Sequence, residues 1–79
     1  MNKTIYITHT FNMEIYIKKI RQRKNISAID ISRNTGIDKS RLSRIEDLQP
    51  IYFPTIKELE DIAIYLHVKI SELYSSEYK

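Results

Sequence analysis

The chain has 79 residues, of which 42% are hydrophobic and 29% are charged, and a net charge of +3 at pH 7. This length accommodates one domain, and without cysteine that domain cannot form disulfide bonds or thiolate–zinc sites. No segment approaches the roughly 20 apolar residues of a membrane span, and the N-terminus lacks the pattern of a signal peptide, so we expect a cytoplasmic protein with no membrane partner.

The N-terminal part of the chain changes its periodicity near residue 12. Residues 4–11 alternate and are rich in β-branched and aromatic side chains, which predicts a strand. From Met13 to Lys24 the apolar residues fall at helical spacing, which predicts a first helix. We therefore divide the chain into an extension over residues 1–12, a domain over residues 13–76 and a polar tail over residues 77–79.

Capping residues predict two short helices in the middle of the chain. Ser27 is a typical N-cap for a second helix over about Ala28–Asn34. Gly36 is the only glycine, and it stands where the chain must turn sharply at positive φ. Asp38 is then the expected N-cap of a third helix over about Lys39–Asp47.

A fourth helix follows a loop over residues 49–53. Thr55 and Glu58 have the spacing of a capping box, and His67 stands at the position where this helix ends. Residues 71–74 are predicted to add a fifth, single helical turn. The inward positions of the fourth helix are predicted from their spacing to be Ile56, Leu59, Ile62, Ala63 and Leu66.

The segment Ile26–Glu46 has the layout of a helix-turn-helix unit, in which a capped helix, a tight turn and a second helix follow one another. The inward residues of its second helix are Leu42 and Ile45, and its outer face is polar and basic. Residues 18–44 carry nine basic and two acidic residues, whereas residues 46–79 carry three basic and seven acidic ones. This asymmetry is typical of a molecule in which one end faces a polyanion, with a solvated basic helix as the alternative.

The segment resembles the phage-repressor/Cro family of helix-turn-helix regulators, often called the XRE family. The residues that carry the resemblance are Ser27, Ile31, Gly36, Ile37, Ser40, Leu42, Ser43, Arg44, Ile45 and Glu46. It continues through Pro54 and the fourth helix, and it covers about residues 14–74. It implies an all-α, compact, five-helix fold like that of lambda repressor. Residues 1–12 have no counterpart in the family, and the short N-terminal β-strand is predicted from their alternation alone. Ala28, Ser32 and Leu48 depart from the family pattern, which has Gln, Ala and Gly there.

The resemblance also implies roles for individual residues. The base-reading positions of the recognition helix are Lys39, Ser40, Arg41 and Arg44, whose side chains can bond base edges. The positions where phosphate contacts occur are Ser27, Ala28 and Ser43. Apart from the resemblance, three basic residues are further candidates for phosphate contact, with an ordinary solvated face as the alternative: Lys18, Arg23 and Lys24. Arg21 and Glu46 are expected to form a structural ion pair between the first and third helices.

The resemblance thus implies a sequence-specific, double-stranded DNA-binding transcriptional regulator, with repression as its expected effect. One glycine leaves no phosphate-binding loop, and His9 and His67 have no companions at ligand spacing. We therefore expect no enzyme, no metal, no cofactor and no small-molecule ligand. The alternative is a protein-interaction module on the same fold, such as an antitoxin or anti-repressor component.

We expect a homodimer bound to an inverted-repeat operator, because one domain offers a single recognition helix. The predicted interface residues are Ile51, Tyr52, Phe53, Val68, Ile70, Tyr74, Ile5 and Ile7. Local core packing is the alternative for the triplet at residues 51–53. Ile5 and Ile7 belong to the N-terminal strand, for which the helical domain offers no obvious partner strand in the same chain. Two copies of the strand are therefore expected to pair across the dimer axis, with a disordered tail and a minor-groove arm as alternatives.

Overall fold

The computed structural model of the chain describes residues 11–47 and 53–78. Over these residues the elements in chain order are strand β1 (Phe11–Ile15), helices α1 (Ile17–Arg23), α2 (Ala28–Thr35), α3 (Lys39–Asp47) and α4 (Ile56–Leu66), a 3₁₀ turn (Ile70–Glu72) and strand β2 (Tyr74–Tyr78). The described residues therefore form four helices and a two-stranded sheet. A compact, mostly helical fold with a helix-turn-helix is confirmed.

The predicted fifth helix is wrong, because residues 70–72 form only one 3₁₀ turn before the chain enters β2. Leu73 is fully buried directly after the turn. Its carbonyl oxygen accepts a hydrogen bond from the backbone nitrogen of Tyr16 at 2.8 Å. This bond holds residue 73 beside the start of α1, so the chain continues in the extended direction instead of winding further.

The two strands pair antiparallel, with Ile15 opposite Tyr74 and Phe11 opposite Tyr78. The expectation that the domain offers no partner strand is therefore wrong. The first helix also begins at Ile17 instead of Met13, because residues 11–15 belong to β1. β1 spans the expected boundary between extension and domain, and β2 includes two residues of the expected tail. Residues 4–10 of the predicted strand lie outside the described residues.

The predicted caps of α2 and α4 are confirmed. The hydroxyl oxygen of Ser27 accepts a hydrogen bond from the backbone nitrogen of Asp30 at 3.1 Å. Thr55 and Glu58 form the full capping box, with the Thr55 backbone nitrogen 2.8 Å from the Glu58 carboxylate. His67 ends α4 in the left-handed conformation, at φ 60°. The bonds at Ser27 and in the capping box of Thr55 and Glu58 satisfy backbone donors that a helix start leaves unpaired.

Two side chains of α2, those of Ser32 and Thr35, hold the shape of the turn between α2 and α3. Gly36 adopts φ 79°, and its nitrogen donates to the carbonyl of Ser32 at 2.9 Å. The Ser32 hydroxyl donates to the carbonyl of Ile37 at 2.6 Å, and Thr35 Oγ1 accepts from the nitrogen of Ile37 at 3.2 Å. Ser32, a departure from the family pattern, thus bridges the turn.

The core lies between the helices and under the sheet. α2 packs against both α3 and α4, and the sheet contributes Ile15 of β1 to the core and packs Tyr74 of β2 against it. All of its buried members among the described residues are hydrophobic: Ile15, Ile17, Ile20, Ile31, Ile37, Leu42, Ile45, Leu59, Ile62, Ala63, Leu66 and Leu73. This shared core fixes α3 against the rest of the domain, because the inward residues of α3, Leu42 and Ile45, both belong to the core.

Candidate nucleic-acid interface

Helix α3 has one buried face and one exposed face. Its inward residues, Leu42 and Ile45, are 0% exposed. The exposed residues of the opposite face are Lys39, Ser40, Ser43 and Arg44. Three predicted base-reading residues, Lys39, Ser40 and Arg44, thus lie together on the solvent side of one short helix. Lys39 and Arg44 can donate hydrogen bonds to base edges or phosphate oxygens, and the hydroxyl oxygen of Ser40 can accept one.

Asp38 holds the first turn of α3 through Ser40. One oxygen of the Asp38 carboxylate accepts a hydrogen bond from the Ser40 backbone nitrogen at 3.0 Å and a second one from the Ser40 hydroxyl. The hydroxyl bond, and then the backbone bond, lower the pKa of Asp38 below its ordinary value, with a smaller contribution from the charge of Arg44. Asp38 and Ser40 line an open depression together with Lys39 and Ser43.

Arg41 is placed differently from the other predicted base-reading residues. Its Nε and Nη2 atoms lie 3.0 and 2.9 Å from the two carboxylate oxygens of Glu58, and Nη2 also lies 3.0 Å from the carbonyl oxygen of Phe53. The bond to Glu58 raises the pKa of Arg41, and the same bond lowers the pKa of Glu58. In this arrangement Arg41 ties α3 to the start of α4 instead of facing the exposed side of α3.

The expected pair of Arg21 and Glu46 is present. Arg21 Nε lies 2.8 Å from one carboxylate oxygen of Glu46, and Nη2 lies 3.1 Å from the other. Arg21 Nη1 also donates to the carbonyl oxygen of Ile26 at 3.3 Å. The hydrogen bond to Glu46 raises the pKa of Arg21. These bonds connect α1, the segment before α2 and the end of α3.

The predicted phosphate-contacting residues occupy three separate places. Ser27 and Ala28 form the N-terminal end of α2, where backbone N–H groups favour an anion. Ser43 is exposed on α3, and its hydroxyl lies 3.5 Å from the Asp47 carboxylate. The three basic candidates of α1 and its C-cap, Lys18, Arg23 and Lys24, are exposed. Lys18 pairs with Asp47 at 3.3 Å, and since both side chains are 49% exposed, phosphate can compete for this lysine.

A comparison with protein families identifies this arrangement. A model of the Cro/C1-type helix-turn-helix DNA-binding domain matches residues 16–77. The chain belongs to this family. No similar sequence is found among curated proteins. The match confirms the resemblance, and α2 and α3 are the helix-turn-helix pair of this Cro/C1-type domain. No helix in the described part of the chain is both long enough and apolar enough to cross a membrane.

The structure describes only four of the eight residues predicted for a dimer interface of this Cro/C1-type domain. Four of them lie outside the described residues: Ile5, Ile7, Ile51 and Tyr52. The other four are half-buried and pack against the core: Phe53, Val68, Ile70 and Tyr74. Two of these, Phe53 and Tyr74, also line an apolar groove of about 220 Å³.

Sequence reasoning missed the partners of two residues and misplaced a third. Asp38 was expected only as a helix cap, and Glu58 only as part of a capping box. Ile56, predicted on the inward face of α4, is 75% exposed, so that placement is wrong. It stands one turn before Leu59, beyond the edge of the core, and lines the apolar groove. Of these, only the contact between Asp38 and Ser40 has a local signal, the Asp-x-Ser spacing at a helix start.

Proposed function

We propose that this protein is a sequence-specific transcriptional regulator, acting as a repressor, that inserts α3 into the major groove of double-stranded DNA. The observation that carries the proposal is the exposed face of α3, where Lys39, Ser40 and Arg44 lie together in a Cro/C1-type domain. Arg21 and Glu46 support it, because they fix the end of α3 to α1. Bound across an operator, such a domain would block other proteins from the same DNA.

The charge distribution supports contact with the phosphate backbone. Residues 18–44, which include α1, α2 and most of α3, carry nine basic and two acidic residues. Lys18, Arg23, Lys24, Ser43 and the N-terminal end of α2 are the groups proposed to contact phosphate. Such contacts position a domain on the duplex without reading its sequence, which leaves specificity to α3.

We propose that the protein acts as a homodimer on an inverted repeat whose half-sites are about one helical turn, ~34 Å, apart. The apolar groove beside the sheet supports this part of the proposal, because Ile56 is exposed next to Phe53 and Tyr74. A two-fold axis through this region would place two such grooves against each other. The remaining interface candidates, Val68 and Ile70 and the pairs Ile5/Ile7 and Ile51/Tyr52, stay predictions.

Exposed Ile56 and the apolar groove beside it also suit one alternative function. A protein-interaction module, such as an antitoxin or anti-repressor component, would use Ile56 and its groove to bind a different protein. The affinity of such a module for DNA would be weak and independent of sequence. The cytoplasm is the proposed site of action for both functions, and neither assigns a catalytic step to the chain.

Selection of bound sequences from random duplex DNA tests the proposal. We expect an enriched, two-fold symmetric sequence, and an affinity for it that falls steeply with salt, by a slope of about −0.9 for each phosphate contact. The Lys39→Ala and Arg44→Ala proteins, checked for folding by circular dichroism, should lose part of this preference. Enrichment of no sequence, together with weak binding to all duplexes, would favour the interaction module.

A further inference from the structure

We propose that Ser40 reads the major groove only as a hydrogen-bond acceptor, and that Asp38 imposes this restriction by accepting the one hydrogen bond that the Ser40 hydroxyl can donate. The preferred operator would then carry adenine or cytosine, the bases with an exocyclic amino group, on the strand that Ser40 faces. This inference rests on the proposed function, because it requires α3 to lie in the major groove.

The first step of the argument is the direction of one hydrogen bond. A serine hydroxyl has one proton to donate and two lone pairs to accept with. Ser40 Oγ donates to Oδ2 of Asp38, and the Ser40 backbone nitrogen donates to the same oxygen at 3.0 Å. The proton of Ser40 is therefore directed at its own chain, and only the lone pairs of Oγ are left for DNA.

The second step is the charge state of Asp38. The bonds from Ser40 and the charge of Arg44 lower the pKa of this carboxyl, so it is ionised at neutral pH. An ionised carboxylate has no proton to donate. Asp38 therefore cannot return a proton to Ser40, and both side chains present acceptors at the N-terminal end of α3.

The third step is the chemistry of the major groove. Adenine and cytosine present amino donors there, whereas guanine and thymine present carbonyl acceptors. A free serine bonds to either kind of base. A serine that already donates its hydrogen bond to Asp38 meets a guanine or thymine oxygen with its lone pairs, which is unfavourable. The pair therefore converts a promiscuous residue into one that distinguishes amino from keto bases.

The surroundings of the pair are consistent with this role. Asp38 and Ser40 are exposed and line an open depression with Lys39 and Ser43. Lys39 is a donor on the same face and suits the keto bases that the acceptor pair disfavours. Neighbouring positions of α3 thus present donors and acceptors in a fixed order, which a base sequence can match.

The experiment measures relative affinities for the selected operator after each of its positions has been changed to all four base pairs. The Ser40→Ala protein first identifies the operator position that Ser40 reads, because its base preference should weaken at that position alone. At that position the parent protein should bind adenine or cytosine on the contacted strand about fivefold more tightly than guanine or thymine, the value of one hydrogen bond.

The deciding variant is Asp38→Gly, which frees the Ser40 hydroxyl while keeping a residue that serves well as a helix N-cap. Its amino-to-keto preference should fall towards one, because Ser40 can then donate as well as accept. Asp47→Asn removes the same charge from the other end of α3 and should leave the preference unchanged. Circular dichroism and thermal unfolding show that each variant is folded.

Three results would overturn the inference while leaving the proposed function intact. They are a guanine or thymine preference at the Ser40 position, no position that responds to Ser40→Ala, and an unchanged preference in Asp38→Gly. Failure to select any sequence with the parent protein would instead contradict the proposed function itself.

Discussion

Arg21 and Glu46 form a two-bond ion pair, with 2.8 Å between Nε and Oε2 and 3.1 Å between Nη2 and Oε1. Their side chains are 13% and 4% exposed. A pair so far from solvent is sensitive to the loss of either member, because the remaining charge is stranded. Since Glu46 is near the end of α3, the pair fixes this end of α3 to α1.

We therefore expect Glu46→Ala to lower the free energy of unfolding by about 3 kcal/mol, the lower end of the range for a broken buried pair. Urea unfolding followed by circular dichroism measures this change. Asp61→Ala is the matched control, because it removes a pair with the exposed Lys57, and it should cost about 0.5 kcal/mol or less. Equal effects of the two substitutions would mean that the Arg21 pair does not hold α3.

Glu58 is expected to make stability fall in acid. Its pKa is lowered in the folded protein, first by the hydrogen bond from Arg41, so its contribution is complete above its ordinary value of 4.5 and is lost as pH falls through the lowered folded value. Glu58→Gln keeps the capping box but removes the charge. Thermal unfolding from neutral to acid pH should therefore show a shallower decline for Glu58→Gln than for the parent, and parallel curves would contradict this role.

Two arginines of α3 should respond in opposite ways to truncation. Arg44→Ala should cost about 1–3 kcal/mol of binding to the selected operator and relax one base position, with stability close to that of the parent. Arg41→Ala should lower stability, because it leaves the Glu58 carboxylate without its positively charged partner. Binding titrations and urea unfolding of both proteins separate the two roles. A loss of base preference in a stable Arg41→Ala protein would mean that Arg41 contacts bases, as the sequence predicted.

Gly36 is expected to be required for its backbone angle alone. A Cβ atom at this position would meet nothing within 4 Å, but φ is +79°. Gly36→Ala should therefore cost about 1–2 kcal/mol through the left-handed conformation, and Gly36→Asn should cost less, because asparagine tolerates this region better. Chemical unfolding of both variants provides the measurement. A greater loss for Asn than for Ala would indicate crowding instead of backbone strain.

Features that depend on neighbouring residues could be predicted from the sequence. The caps at Ser27 and Thr55, the turn at Gly36 and the bounds of α3 all follow from contacts within a few positions. Three of the predicted reading residues, Lys39, Ser40 and Arg44, lie on the exposed face of α3 because the spacing of its apolar residues determines the inward side.

Features that depend on contacts between residues far apart in the chain could not be predicted from the sequence. β2 has polar residues between its terminal tyrosines, and only its pairing with β1 makes it a strand. The role of Arg41 depends on Glu58, which lies 17 residues away. Ile56 has the correct spacing for the core but stands beyond its edge, which periodicity alone does not reveal.

The most direct test of the account is a nuclear magnetic resonance titration of the isotope-labelled protein with its selected duplex, since it identifies the surface that touches DNA. We expect the largest amide shifts at Lys39, Ser40, Ser43 and Arg44 and at the N-terminal end of α2, with small shifts around Ile56. Shifts centred on the apolar groove, or none at the exposed face of α3, would contradict the claim that α3 reads the major groove.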